Sequence, residues 1–178
     1  TYEGSLDAEY LPDDDLSDNE DRSLISFVHS QRLLRNRGGL RVLINNVSDD
    51  EYFEDFGSSI RATSQRFLDR RADFFYQHPL FRVDGLVQSY QTIDDTLAPG
   101  AEPYRRLPQV RFQGYRPAIY GFVPQMRAET TYFDRDASVT GGRLDFEPAL
   151  LYPIIRPYLD IRPRLAVRRT ENYLEDPT

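Results

Sequence analysis

Acidic and basic side chains recur two positions apart in the second half of the chain: Arg127 and Glu129, then Arg143, Asp145 and Glu147. On extended backbone, residues i and i+2 point to one side. Asp145 and Glu147 therefore have the placing that a general acid and its companion base require. The same spacing sets each carboxylate beside an arginine, and a hydrated wall of ion pairs accounts for these residues without any reaction. His29 and His78 stand at no metal-ligand spacing, and the chain has no cysteine. His29 reads as packed, or as facing a polar interior. The acidic run Asp13, Asp14, Asp15, Asp18, Glu20 and Asp21 could attract calcium, but it lacks the glycine and closing glutamate of an EF-hand loop and reads as a solvated loop. Asn46-Val47-Ser48 matches a glycosylation sequon, a weak signal, and no glycine-rich phosphate loop follows a strand. Neither an enzyme nor a cofactor site is predicted.

The elements that must position these charges are strands. From Tyr120 to Tyr132 every second residue is apolar or near-neutral (Phe122, Pro124, Met126, Ala128, Thr130), while Gln125, Arg127, Glu129 and Thr131 lie between. Strict period-two alternation means a strand with one apolar and one polar face. It recurs at Tyr2, Gly4, Leu6, Ala8 and Tyr10 against Glu3, Ser5, Asp7 and Glu9. Similar runs begin near Leu40, Phe81, Val110, Leu144 and Leu159. Residues 24–34 read as a strand with poorly separated faces, and 36–39 as a tight turn. Residues 49–59 read as a structured loop or one helical turn. Residues 63–77 are the least regular; a helix competes there, and Arg66 and Arg70 would keep the upper part clear of any bilayer. The expected fold is all-β: an antiparallel up-and-down meander of about nine strands.

Connections alternate in length, long at 12–21, 49–62 and 93–106, short at 35–39, 77–79 and 116–118. Such asymmetry suits a barrel whose two ends face different compartments. Pro108, Pro124, Pro148 and Pro163 fall within strands on the apolar side, each costing a ladder hydrogen bond, and require bulges or strand ends outside a bilayer. Net charge is −7 and the pI about 4.9, which argues against nucleic acid as a partner. Mean hydropathy is −0.62, and no apolar run approaches the ~18 residues of a spanning helix, a test that barrel strands escape. The chain opens on Thr1 without a signal peptide and reads as a mature segment or a fragment.

Four stretches carry a resemblance. Tyr10-Leu11-Pro12-Asp13-Asp14 with its acidic loop resembles the barrel of the lipopolysaccharide-assembly family LptD. So does Val47-Ser48-Asp49-Asp50-Glu51-Tyr52-Phe53-Glu54-Asp55-Phe56-Gly57. Pro103-Tyr104-Arg105-Arg106-Leu107-Pro108-Gln109 and Phe146-Glu147-Pro148 follow in the family's order. The resemblance implies part of a large C-terminal transmembrane β-barrel in the bacterial outer membrane, with residues 1–178 as a partial barrel domain. It implies a barrel that receives lipopolysaccharide from a periplasmic bridge and releases it into the outer leaflet. A lipoprotein plug, LptE, would occupy the lumen, and a periplasmic jellyroll would contact LptA. The jellyroll, the family's disulfide cysteines and its gate strands have no counterpart in these 178 residues, so no residue is assigned to them.

On this reading Glu3, Asp7, Glu9, Arg127, Glu129, Arg143, Asp145, Glu147, Arg162 and Arg164 line a lumen. Tyr2, Leu6, Tyr10, Phe122, Met126, Tyr132, Leu144, Phe146, Ile161 and Leu165 face outer-membrane lipid. The motif residues, including Ser48, Asp49, Tyr52, Phe53, Asp55 and Phe56, shape loops. Tyr104-Arg105-Arg106 either anchors a loop or meets lipid phosphate. The competing readings are a soluble all-β carbohydrate-binding module and another outer-membrane barrel such as a porin. The soluble module predicts that Tyr2, Leu6, Phe122, Met126, Leu144 and Leu165 pack together in one core; the barrel predicts that they all point outward.

Overall fold

In a computed structural model of the chain, residues 1–14, 20–56, 66–94, 96–98 and 100–175 are described, without the side chains of Glu54 and Phe56. Asp15, Asp18 and Gly57, with the Glu54 and Phe56 side chains, all named above, lie outside the described residues.

Period-two patterning yields strands throughout: β1 (Tyr2–Asp14), β2 (Glu20–Leu33), β3 (Gly38–Val47), β4 (Phe67–His78), β5 (Phe81–Thr92), β6 (Arg105–Tyr115), β7 (Val123–Asp134) and β8 (Thr140–Leu151). Each pairs antiparallel with the next in sequence order. The ninth strand is broken into β11 (Arg164–Ala166) and β12 (Arg169–Glu175), both paired with β8. Between them and β8, β9 (Ile154–Arg156) and β10 (Leu159–Ile161) form a small hairpin. The sheet is open among the described residues, with β1 at one edge and the broken strand at the other. One short helix, α1 (Tyr52–Phe56), interrupts the meander where a loop or helical turn is expected.

The prolines explain the irregularities. Pro108 sits where the pairings of β6 with both neighbours shift register, between Arg106 and Gln109 and opposite Leu86–Gln88. Pro124 turns its missing donor toward the frayed end of β6, while its carbonyl accepts from the Arg116 N–H at 3.0 Å. Pro148 faces the final strand where that strand breaks; its carbonyl accepts from the Val167 N–H at 3.1 Å, and it has no N–H to return. Pro163 lies in the gap between β10 and β11, its carbonyl accepting from the Tyr152 N–H.

Several boundaries differ from expectation. The strand that alternation starts at Tyr120 begins at Val123, because Tyr120 (φ +52°) and Gly121 (φ +84°) form a hairpin tip closed by an Ile119–Phe122 bridge. Left-handed backbone at both tip positions matches the twist of the flanking strands. Strand structure also extends through Asp14 and resumes at Glu20, into what patterning reads as loop. In the irregular stretch 63–77, the described part is a strand from Phe67, as against the competing helix.

The buried apolar cluster is small: Val47, Tyr52, Leu68 and Ile93, with Leu24 and Phe53 against it. It lies beneath α1, where β3 and β4 part company after the Ile44–Arg70 pair. Side chains close that gap. The Arg70 guanidinium donates to the Asn45 carbonyl at 3.0 Å, to the Asn46 side chain and to Gln91, and Gln91 bonds both the N–H and the carbonyl of Val47.

Candidate functional site

Cross-strand register sorts the side chains into two faces, since directly paired residues point the same way. One face is charged from edge to edge. Glu3, Asp7 and Glu9 lie opposite Ser30, Ser26 and Leu24; Arg41 lies opposite Asp73, Asp84 opposite Arg111, and Arg111 opposite Glu129. Glu129 faces Asp145, Arg127 faces Glu147, and Thr131 faces Arg143. Arg164 joins this face through its ion pair with Glu147. Nine of the ten residues expected on the polar face are thus brought together there. Arg162 is the exception: it stands between β10 and β11, off the main sheet, in a bidentate pair with Asp160 at 2.9 Å.

The carboxylates that β7 and β8 place on this face are matched. Glu129 accepts from Arg111 at 2.8 Å, Gln109 at 3.1 Å and Thr131 at 3.3 Å. Asp145 holds Arg168 bidentately at 2.7 to 3.1 Å and also accepts from Thr170. Glu147 lies between Arg164 and Arg127. A wall of paired charges is the arrangement; each carboxylate that could have served as acid or base already holds a guanidinium.

The other face is apolar and open. It carries Tyr2, Leu6 and Tyr10, then Ile25 and Phe27, Val42 and Ile44, Phe74 and Tyr76, Val83 and Val87, Val110 and Phe112. Met126, Tyr132, Leu144, Phe146 and Leu165 complete it. His29 is on this side, stacked on Phe27 with ring centroids 6.2 Å apart, which overturns a place on the polar face and leaves the packed reading. Phe122 and Ile161 lie outside the strands of the main sheet: Phe122 belongs to the hairpin tip and lies against Tyr152, and Ile161 pairs with Ile154 in the small hairpin.

Exposure runs opposite to that of a water-soluble sheet. Thr131, Gln109 and Gln88 on the charged face are at most 9% exposed, while Ile44, Phe74, Val87, Leu144 and Phe146 are 40–48% exposed. Of the six residues that a soluble module would pack together, Tyr2, Leu6 and Leu165 are 64–77% exposed, and they share no core among the described residues.

The first two motif stretches converge in space. Arg22, which sequence reasoning passed over, is 1% exposed and sits among three carboxylates: Asp14 at 3.1 Å, Asp49 at 2.6 Å and Asp55 at 2.7 Å. Its guanidinium also lies over the Tyr52 ring at 5.5 Å, and the Tyr52 hydroxyl donates to Glu9 at 2.7 Å. Burial, then the Glu9 bond and charge, push the Tyr52 phenol up to about 12. Burial alone would raise the Asp49 carboxyl, but the bonds from Arg22 and Ser48 and the Arg22 charge bring it below the usual range. The acidic run is therefore not wholly solvated: Asp14 is buried on Arg22, and Asp21 accepts from the Tyr10 hydroxyl at 2.6 Å. A lone arginine inside a run of aspartates was the available signal.

The third motif ties down the β7–β8 loop. Arg105 pairs with Asp134 at 3.0 Å and with Asp136; the Tyr104 ring takes Arg135 at 4.1 Å, and its hydroxyl donates to the Val139 carbonyl. Of the two readings of Tyr104-Arg105, this geometry is a loop anchor.

Comparison with known proteins places these motifs. The family described as LPS transport system D matches residues 20–177. The chain belongs to the LptD family. An LPS-assembly protein LptD of Nitrosococcus oceani is 38% identical over 176 residues, covering 97% of this chain and 24% of that protein. The LptD proteins of Ralstonia nicotianae and Alkalilimnicola ehrlichii are 33% and 35% identical, covering 100% and 99% of this chain. The chain spans 22–24% of the length of these LptD relatives. Membership of the LptD family sets aside a general porin. The matches leave its C-terminal placement an expectation.

Proposed function

We propose that this chain is a stretch of outer-membrane barrel wall in lipopolysaccharide assembly, its apolar face toward lipid and its charged face toward a lumen. The observation that carries the reading is the path of the apolar face across the sheet. The pairings Tyr2–Gln31, Gln31–Leu40, Leu40–Phe74, Phe74–Gly85, Gly85–Val110, Val110–Thr130 and Thr130–Leu144 draw one row perpendicular to the strands. On β1 the apolar band extends from this row toward the long loops, from Tyr2 to Tyr10. On β8 it extends the opposite way, from Leu144 to Leu150. A shift of roughly six to eight residues, about 20–26 Å, over about 34 Å of sheet inclines the band by roughly 30–40°. Strands of membrane barrels tilt by about 35–45° to keep such a band level with the bilayer.

In this role the chain catalyses nothing. Its charged face meets the sugar of lipopolysaccharide or a lipoprotein plug such as LptE, and α1, held by Arg22, narrows the lumen at the long-loop end. Contact with LptA belongs to a periplasmic domain outside these residues.

Benzoyl-phenylalanine placed at Leu6, Phe74, Val110 and Phe146 of the full-length protein in cells should crosslink to phospholipid acyl chains. At Asp7, Asp73, Arg111 and Asp145 it should crosslink to lipopolysaccharide or to protein. Phospholipid adducts from both sets, or from neither, would overturn the assignment of faces.

A further inference from the structure

The turns at the short-connection end are built unlike solvent turns. Each presents a large apolar side chain to the outside: Leu34 at 60%, Leu80 at 41%, Tyr120 at 95% and Tyr158 at 86% exposure. Three of the four also present arginine, namely Arg35 and Arg37, Arg116, and Arg156, all exposed. Among the described residues no ion pair engages these four, whereas most arginines of the sheet hold carboxylates. The second turn carries no arginine, and its His78 ring stacks on Phe81 with centroids 4.8 Å apart. The turn segments 34–37, 78–81, 116–122 and 155–159 contain no Asp or Glu; the opposite end carries the acidic runs 13–21 and 49–55.

Two further observations bear on what these turns meet. Leu34, Arg35 and Tyr120 have φ of +51°, +56° and +52°, a region where side-chain-bearing residues other than Asn and Asp are costly, so the tips are not optimised for local stability. The tips also descend in step with the apolar band: Asn36 stands five positions beyond Gln31 of the perpendicular row, and Pro157 thirteen beyond Leu144. They thus track the edge of the band, just beyond the Tyr76, Phe81 and Phe112 rings that stack there at 5.8–5.9 Å. A row of exposed apolar tips, three of the four accompanied by arginine, fits a surface of uniform chemistry better than a single protein partner.

We infer that the short-turn end docks into a layer of anionic phospholipid headgroups, with Arg35, Arg37, Arg116 and Arg156 on lipid phosphates and the apolar tips at the interface. All 22 basic residues of the chain are arginine, the side chain suited to bidentate phosphate contacts. The inference rests on the barrel-wall reading and adds to it the lipid class and the residues that select it.

The test uses the full-length protein reconstituted in phosphatidylcholine vesicles containing either spin-labelled phosphatidylglycerol or spin-labelled phosphatidylcholine. The expected result is a preference for phosphatidylglycerol in the motionally restricted lipid shell of about threefold or more. That preference should fall toward unity in 0.5 M salt, and in the variant carrying Arg35→Gln, Arg37→Gln, Arg116→Gln and Arg156→Gln, since a cation near an anionic surface contributes up to about fivefold. Acyl-chain crosslinking at Phe74 and Val110 should be unchanged in that variant, which keeps this inference separable from the wall assignment. No preference in the wild type, or one that survives the four substitutions, overturns it. Capture of a protein by crosslinkers at Tyr120 and Tyr158, in place of lipid, also overturns it.

Discussion

At the scale of single residues, Arg22 decides the most. A guanidinium with 2% side-chain exposure among Asp14, Asp49 and Asp55 is tolerable only because its hydrogen bonds are satisfied. Arg22→Met would strand three carboxylates, and unfolding in detergent should show a loss of about 3–5 kcal/mol. Arg22→Lys, which cannot fork to several partners, should restore only part of that. Because Asp49 is held below its usual range, its contribution is complete above the unfolded carboxylate value of about 3.9 and is lost as pH falls through the folded value. The protection of residues 49–56 against hydrogen exchange, relative to the intrinsic rate at each pH, should therefore fall below about pH 4, and Asp49→Asn should abolish that pH step. None of this was legible from composition. Arg22 looked like one more charge in a polar run, and its three partners come from segments up to 33 residues away.

Among the elements, β8 is the most exposed to error, because its partner strand is broken. A Cβ on Gly141 would come within 2.0 Å of the Tyr173 carbonyl oxygen, a backbone atom that cannot move aside. Gly141→Ala should therefore detach the end of β12, destabilising by roughly 1–3 kcal/mol, and proteolysis near Tyr173 should speed up. Gly142, with open space where its Cβ would lie, should accept alanine with little effect. Strand existence was readable for most of the chain, since alternation is a local consequence of the pleat. The exceptions have physical causes. Tyr120 keeps the alternating pattern yet lies in a tip, because pattern alone does not report a left-handed backbone. The break between β11 and β12 arises from a proline on the neighbouring strand, which no reading of the broken segment itself reveals.

For the whole molecule, both edges of the sheet are unpaired among the described residues and one face is largely apolar, a combination that water does not support. Residues 1–178 expressed alone should give no cooperative thermal transition in detergent-free buffer and should aggregate through β1 and β12; a sharp reversible melt there would contradict the barrel-wall proposal. The polar and apolar sets, the meander order and the turn-rich punctuation were determined by the sequence itself. Alternation and turn chemistry act between near neighbours and need no knowledge of the rest of the chain. Tertiary structure alone decided the register across successive pairs, and with it the slant of the apolar band, the row of cationic tips and the gathering of Asp14, Asp49 and Asp55 on Arg22. Register is a property of pairs of strands, summed over the sheet, and a single strand carries no record of its offset from a partner several hairpins away.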